Sequence, residues 1–285
     1  ILLRNKSFNL VYGRFLYGCY ISTLLRCEVI FEAHNFILTR NWLSKFFFKK
    51  LIKNNFFKKL IVISQALKNI YLKDVNLCNS TIKVAHDGAD EILDFKSKAK
   101  LFGNKNSLQI GYVGHLYKGR GIDIIIKSAK KLNSSMFHIV GGLQKDVEYW
   151  KKYTKKLNLD NVFFYGFVFP KDTIKYLNSF DIVLAPYSKK VSGYGHIPDN
   201  SKIMSPIKIF EYMSRKKPII ASDLKVIREV LNKKNSILVR SNNIELWISS
   251  IKKLKNVKFR KLIANQAFID FKQYSWKNRA SLVLK

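Results

Sequence analysis

A chain of 285 residues that is 47% hydrophobic can build two cores of ordinary size, so disorder is not the default. No run of about 18 apolar residues occurs, which excludes a single-helix membrane span. Cys19, Cys27 and Cys78 lie at no metal-ligand spacing, which argues against a disulfide framework and for a reducing, cytoplasmic compartment. The formal net charge of +33 predicts attraction to polyanions. The lysines, however, run through almost every segment, a lysine-biased composition, and no nucleic-acid recognition motif stands out.

From residue 9, short apolar runs alternate with helical stretches, the signature of an α/β fold. Strands are expected at Asn9–Tyr12, Glu28–Ala33, Leu60–Ile63 and Thr81–Ala85. A second set is expected at Leu108–Val113, Phe137–Val140, Val162–Tyr165, Ile182–Ala185, Ile219–Ala221 and Ile237–Val239. Between them the Lys/Ser/Gly/Asn-rich stretch Lys96–Ser107 reads as a linker, which puts a domain boundary near residue 100. The expected organisation is a domain over 1–100, a second over 101–263, and a helix over 264–285 docking back on the first through Phe268, Phe271 and Trp276. The first residue is Ile1 rather than Met, so an incomplete piece is expected.

In open parallel sheets, ligands bind outside the carboxyl ends of the strands. Those ends read His34, Ser64, His86-Asp87-Gly88, Gly114-His115, Gly141-Gly142, Gly166, Pro186-Tyr187 and Ser222-Asp223. Each alone is ordinary turn chemistry; together they favour a ligand crevice. Glu32-Ala33-His34 closes its strand with a histidine that either orients a hydroxyl or moves a proton, or is a satisfied strand end. Trp42–Phe57 reads as a helix with Lys45, Lys49, Lys50 and Lys53 beside Trp42, Phe46 and Phe56 on one arc. Leu43, Phe47, Phe48, Leu51 and Ile52 fill the other arc. The first arc suits an anionic membrane surface or plain solvent. Gly114 to Gly121, before a helix at Ile122–Leu132, is a turn that either lets amides approach a phosphate, neutralised by Lys118 and Arg120, or merely turns. Tyr187–Ser205, with Gly193 and Gly195, is a long aperiodic loop, either a lid or disorder of no consequence.

The densest signal is Ser205–Asp223. Ser205 is a good N-cap and Pro206 suits the first helical position. Ile207, Phe210 and Met213 or Ser214 repeat at helical spacing, Pro218 ends the helix, and a strand follows. Lys208 lies in the first turn, against the dipole, with Glu211 three residues on. Bare first-turn amides and a lysine make an anion site, and a carboxylate one turn deeper can accept hydrogen bonds from two neighbouring hydroxyls. A phosphate at the mouth and a ribose diol beside it explain both residues; a solvated Lys–Glu pair is the alternative.

The ordered series EAHNF (32–36), VISQALK (62–68), VAHDGAD (84–90), YVGHLYKGRGID (112–123), HIVGG (138–142), NVFFYGFV (161–168), DIVLAPY (181–187) and SPIKIFEYMSRKKPIIASD (205–223) resembles the retaining GT-B glycosyltransferases of family 4. The likeness runs from about Asn9 to the C-terminus. It implies two Rossmann-like domains facing a cleft, a nucleotide-sugar donor held mainly by the second, a saccharide or lipid-linked acceptor, no metal or other cofactor and no specific nucleic acid. On the donor side it implies Gly114, His115, Lys118, Arg120, Gly141, Ser205, Pro206, Ile207, Lys208 and Glu211. Glu211 matches the ribose-binding glutamate, Arg120 the diphosphate-contacting cation, and Gly114 the turn beneath the phosphates. On the acceptor side it implies Glu32, His34, Asp87 and Gly88, with His34 near the transferred sugar and Asp87-Gly88 closing the first domain. The catalytic set is His34, Arg120, Lys208 and Glu211.

Three departures qualify the likeness. Ile203 stands where the first glutamate of a frequent family pair would be, and His115 where an arginine is common. The family's first strand and glycine-rich loop have no counterpart before Asn9, so the N-terminal domain is expected to be incomplete. The expected function is sugar transfer with retention in polysaccharide, lipopolysaccharide or glycolipid synthesis, with peripheral contact at the inner face of an anionic membrane. An inactive fragment, an epimerase, or a basic RNA- or membrane-binding protein are the alternatives.

Overall fold

The computed structural model describes residues 9–39, 41–75, 77–91, 94, 96–192 and 199–285; Gly193 and Gly195 of the expected lid lie outside them. The chain divides into two compact units. One comprises Ile1–His86, Lys202–Ser205 and Arg279–Lys285, the other Asp87–Ser201 and Pro206–Asn278.

The first unit runs β1 (Leu10–Gly13), α1 (Leu16–Leu24), β2 (Glu28–Ala33), α2 (Trp42–Ile52), β3 (Phe57–Val62), α3 (Gln65–Asp74) and β4 (Ile82–Val84). The strands pair in parallel in the order β1-β2-β3-β4. Parallel strands covered on both faces read as apolar runs, as 29–31 of β2 and 60–62 of β3 do. One face packs Phe31 and Val62 against Phe48, Leu51, Leu67 and Tyr71. On the other, Ile30 and Ile61 meet Ala85 and Val283. Ser64 caps α3 by accepting from the Leu67 amide at 3.1 Å, and its hydroxyl donates to Ile203 O at 2.8 Å, which ties 202–205 into this unit. Asn41 caps α2 by accepting from Ser44 N at 2.9 Å.

Helix α2 stops at Ile52, and Phe57 opens β3 instead of extending the helix. Its outer arc exposes Lys45, Phe46, Lys49, Lys50 and Trp42, the last 75% accessible. Leu43, expected on the buried arc, is exposed as well, because Ser44 takes the inward position and bonds Tyr17 Oη at 3.1 Å. Among the described residues no helix is long and apolar enough to cross a membrane.

The second unit runs β5 (Leu108–Val113), α4 (Ile122–Lys131), β6 (Ser135–Val140), α5 (Gln144–Lys156), β7 (Val162–Gly166), α6 (Pro170–Ser179), β8 (Ile182–Ala185), α7 (Ile207–Ser214), β9 (Ile219–Ser222), β10 (Ile237–Val239), α8 (Ile244–Lys253), α9 (Val257–Phe271) and α10 (Trp276–Leu284), the last passing into the first unit at Arg279. Its six parallel strands lie in the order β10-β9-β8-β5-β6-β7. The order reverses between β5 and β8, and in doubly wound sheets that reversal opens a crevice at the carboxyl ends of the two strands. The core beneath it is mainly aliphatic, with Ile125, Ile126, Ile139, Leu184 and Ile220 fully buried beside Phe137 and Trp247.

Two expectations about organisation change. The boundary falls at His86/Asp87, not near residue 100. The polar stretch 96–107 is a strap: Ala99 N donates to Ser179 Oγ at 2.9 Å, Asn178 Nδ2 to Ser97 O at 2.8 Å, and Gln109 Nε2 to Asn104 O at 2.9 Å. Polar composition here satisfies backbone groups rather than loosening the chain. The helix expected from residue 264 is the second half of α9, then a 3₁₀ turn at Lys272–Tyr274, then α10, whose start is fixed by Ser275 Oγ accepting from Asn278 N at 3.2 Å.

Candidate functional site

The loops after β5 and β8 flank the reversal in strand order and interlock through backbone. Ser188 N donates to Gly119 O at 2.9 Å and Ser192 N to Lys118 O at 3.2 Å. Helix α7 is pinned against both strand ends by Tyr212, whose Oη accepts from Val113 N at 2.9 Å and donates to Leu184 O at 3.4 Å. Lys208 lies one turn before Tyr212 on the same face and therefore points the same way. Its Nζ stands 3.7 Å from the centroid of the Tyr112 ring and 5.4 Å from that of Tyr187. Lys208 is only 9% exposed, and its ammonium has no hydrogen-bond partner among the described residues.

Gly114 covers that ammonium. Its φ is +140°, and a Cβ there would stand 2.8 Å from Lys208 Nζ, so a side chain would be both strained and crowded. Gly141, at φ +105°, backs onto it closely enough that a Cβ would strike the carbonyl oxygen of Gly114. Arg120 is half-buried, its guanidinium 5.6 Å from the Tyr187 ring and its Nε buried without a hydrogen-bond partner among the described residues. Burial, and then the neighbouring Arg120, push the pKa of Lys208 well down, with Glu211 opposing. Burial, Arg120 and Lys208 likewise lower His115, which Asp146 opposes. His115 itself is exposed and stacks on Tyr117, with ring centroids 4.7 Å apart. Three basic groups thus crowd one strand end with little to balance them.

Glu211 sits on the adjoining face of α7 with Ile207 and Ser214, at the i, i+4, i+7 positions. This face borders a cavity of about 220 Å³ that Asp90, Thr173, Ile174 and Trp276 also line. Burial raises the Glu211 carboxyl, Lys208 opposes the rise, and Asp90 adds to it. Lys208 is buried and Glu211 half-buried, so the alternative of a solvated Lys–Glu pair does not hold. Two local expectations are corrected. Ile207 does not pack inward but is 47% exposed at the cavity rim. Pro206, with extended backbone, is itself the N-cap, so no side-chain oxygen caps α7. A proline cap leaves the first-turn amides without a side-chain acceptor.

In the first unit Glu32 and His34 close β2. Glu32 is 4% exposed; Oε1 accepts from His34 Nε2, and Oε2 accepts from Arg279 Nη2 at 2.9 Å. Arg279 Nε also donates to His86 O at 2.8 Å, and its Nη1 to Tyr12 Oη at 3.2 Å. Burial works to raise the Glu32 carboxyl, but the bond to His34 and the Arg279 charge outweigh it and hold the pKa below its ordinary value.

Not every expected residue gathers at these places. Lys118 is exposed on its loop. Ser205 is buried and belongs to the first unit, one residue before the α7 cap. Asp87 and Gly88 were expected to close the first domain but belong to the second unit. Ala89 N donates to Tyr274 O at 3.3 Å and Trp276 N to Ala89 O at 3.2 Å, and a Cβ on Gly88 would strike Tyr274 O. Sequence reasoning named Tyr187 only as a strand end and Trp276 only as a helix contact, and it missed Tyr112, Tyr212, Asp90, Arg279 and Tyr12. Only Tyr212 carried a local signal, its i+4 spacing from Lys208. Among the described residues no group of three His, Cys, Asp or Glu could hold a metal ion.

The family model described as Glycosyl transferases group 1 matches residues 107–256, more than half of the chain. An uncharacterized glycosyltransferase of Methanocaldococcus jannaschii is 28% identical over 248 residues, 81% of this chain; the match spans only 59% of that relative's length. Among solved structures, a glycosyltransferase from Rickettsia africae superposes with a TM-score of 0.77 at 17% identity, over 99% of this chain and 77% of its own. Sucrose-phosphate synthase from Thermosynechococcus elongatus gives 0.73 at 14%, over 99% and 73%. Anabaena HepE in complex with UDP-glucose gives 0.70 at 17%, over 97% and 77%. At these identities the structures establish a common fold, two Rossmann-like domains of the GT-B kind.

Proposed function

The chain belongs to the group 1 glycosyl transferases, and from that premise we propose that it is a retaining, nucleotide-sugar-dependent enzyme of the family 4 type that moves a hexosyl unit to an acceptor hydroxyl. The observation that carries this reading is Lys208, a buried amine without a hydrogen-bond partner among the described residues, beneath the Gly114 turn and beside Arg120. An unpaired charge out of water is costly, and a pyrophosphate set against Gly114, Arg120 and the α7 amides would supply the missing counter-charge. The ribose would then bond Glu211, with the base toward the adjoining cavity. The UDP-glucose complex of HepE makes uridine the first base to try.

In this scheme the bond from the anomeric carbon to the diphosphate oxygen breaks as the bond to the acceptor oxygen forms on the same face. Negative charge grows on the departing diphosphate, where Lys208, Arg120 and the helix N-terminus stabilise it without a metal ion. The acceptor's proton passes to a donor phosphate oxygen, so no protein nucleophile is required. His34, at the end of β2, is assigned to the acceptor side.

The acceptor is a saccharide or a lipid-linked saccharide, in synthesis of a cell-envelope polysaccharide, lipopolysaccharide or glycolipid. The exposed lysines and aromatics of α2 support peripheral contact with an anionic membrane from the cytoplasmic side. A thermal-shift screen of UDP-, GDP- and ADP-sugars tests the donor site, since a binder raises the melting midpoint by mass action. Labelled donor then reports the anomeric configuration of the product. No shift with any donor, together with salt-sensitive RNA binding, would replace this reading with that of a basic binding protein.

A further inference from the structure

We propose that Glu32, locked by Arg279, is a positioning residue that fixes the tautomer and aim of His34, so that the imidazole presents Nδ1 as a hydrogen-bond acceptor to a substrate hydroxyl. The inference starts from what each group can do. An ionised carboxylate only accepts hydrogen bonds, and a neutral imidazole donates from one nitrogen and accepts at the other. Glu32 takes the Nε2 of His34 on one oxygen and Arg279 on the other, so both oxygens are committed. The hydrogen therefore sits on Nε2, and Nδ1 keeps its lone pair. Among the described residues the His34 side chain has no other hydrogen bond, and it is 23% exposed, so that lone pair can be reached.

Arg279 holds the carboxylate in place. Besides Glu32 it donates to His86 O at 2.8 Å, Ala85 O at 3.2 Å and Tyr12 Oη at 3.2 Å. These acceptors come from the carboxyl ends of β1, next to β2, and of β4, two strands beyond it, the end of the sheet at which parallel sheets bind ligands. An ion pair serving the fold alone would need only Glu32 and Arg279. Spending the second carboxylate oxygen on an imidazole at the rim is the arrangement that sets a histidine's tautomer in enzyme sites. The substrate hydroxyl rests on the glycosyl-transfer reading, whereas the tautomer does not.

Long-range ¹H–¹⁵N spectra of the full chain labelled on histidine test the proposal, with His34 assigned among the five histidines by His34→Gln. Wild-type His34 should be the Nε2–H tautomer. Glu32→Gln should give a mixture, because an amide donates to Nε2 as readily as it accepts. The same variant should lower kcat about 10- to 100-fold and leave the donor KM unchanged. An Nδ1–H tautomer in the wild type, or an unaltered tautomer and kcat in Glu32→Gln, overturns the proposal. If Glu32→Gln does not fold, Arg279→Lys keeps the charge but loses the fork, and should shift the tautomer and kcat in the same direction by less; no shift in either overturns the proposal. A wild type with the expected tautomer but no transfer from any nucleotide sugar would count against the transfer reading and leave Glu32 as the residue that sets His34.

Discussion

Two buried ionisable groups, Glu32 in the first unit and Lys208 in the second, are handled in opposite ways. In the first, Glu32 is enclosed between His34 and Arg279, both its oxygens are bonded, and Arg279 is held in turn by further acceptors. In the second, the Lys208 amine is enclosed without a hydrogen-bond partner among the described residues, and Arg120 adds charge of the same sign while Glu211 only partly offsets it. A charge fully paired by the chain keeps its geometry with or without a ligand. A buried cation left unpaired lowers stability until an anion arrives. The first arrangement therefore reads as orientation of a side chain, and the second as a place for a ligand.

The largest effect expected from breaking this contrast is at Lys208. Lys208→Met should lower kcat/KM about 10²- to 10³-fold, and at the same time raise the urea midpoint, a gain of about 1–3 kcal/mol for removing an unpaired buried charge. A loss of both activity and stability would place Lys208 among the structural residues and erase the contrast. Glu211→Ala should come next, weakening nucleotide-sugar binding about 10- to 100-fold by calorimetry, the loss expected for charge-assisted bonds to two hydroxyls. Unchanged affinity would detach the ribose from that carboxylate.

Acidity sharpens the comparison, because the two glutamates lie on opposite sides of their ordinary pKa of 4.5. Glu32 is held below it, so its contribution is complete above 4.5 and is lost as pH falls through the depressed value. Glu211 is held above it, so stability declines as pH rises from 4.5 through the raised value. Urea midpoints from about pH 3 to about pH 8 should show Glu32→Gln flattening the acid limb and Glu211→Gln removing the decline. Equal slopes in both variants would contradict the assigned environments. The smallest effect is at α2, where Lys45→Glu with Lys49→Glu should reduce sedimentation with anionic vesicles and move stability by no more than about 0.5 kcal/mol. Unreduced sedimentation would take α2 out of any membrane contact.

What the residues disclose in advance follows the range of the interactions. All ten expected strands exist, four of them with the expected bounds, since apolar runs between turn residues are local signals. The tension between Lys208 and the helix dipole was also local, and it led to the buried cation. Ile207 and the α7 cap were misplaced by about one helix position because Ser205 and Pro206 both suit a helix start. Arg279 was invisible: it lies 247 positions from Glu32, and nothing in a basic, lysine-rich tail marks one arginine as the partner of a distant carboxylate. The polar strap at 96–107 misled for the converse reason, because composition does not reveal whether polar groups bond to water or to a neighbouring helix.

Arg279 also sets a timetable. Because it lies 247 positions after Glu32, synthesis at about 5–20 residues per second leaves roughly 12–50 s between the two. For that interval the nascent first sheet carries a carboxylate without its guanidinium, and Val283 is missing from the face where Ile30, Ile61 and Ala85 will pack. Nascent-chain proteolysis should find this sheet loose until the distal segment emerges, and a piece ending near residue 100 should be a poor stand-in for the unit it was cut from.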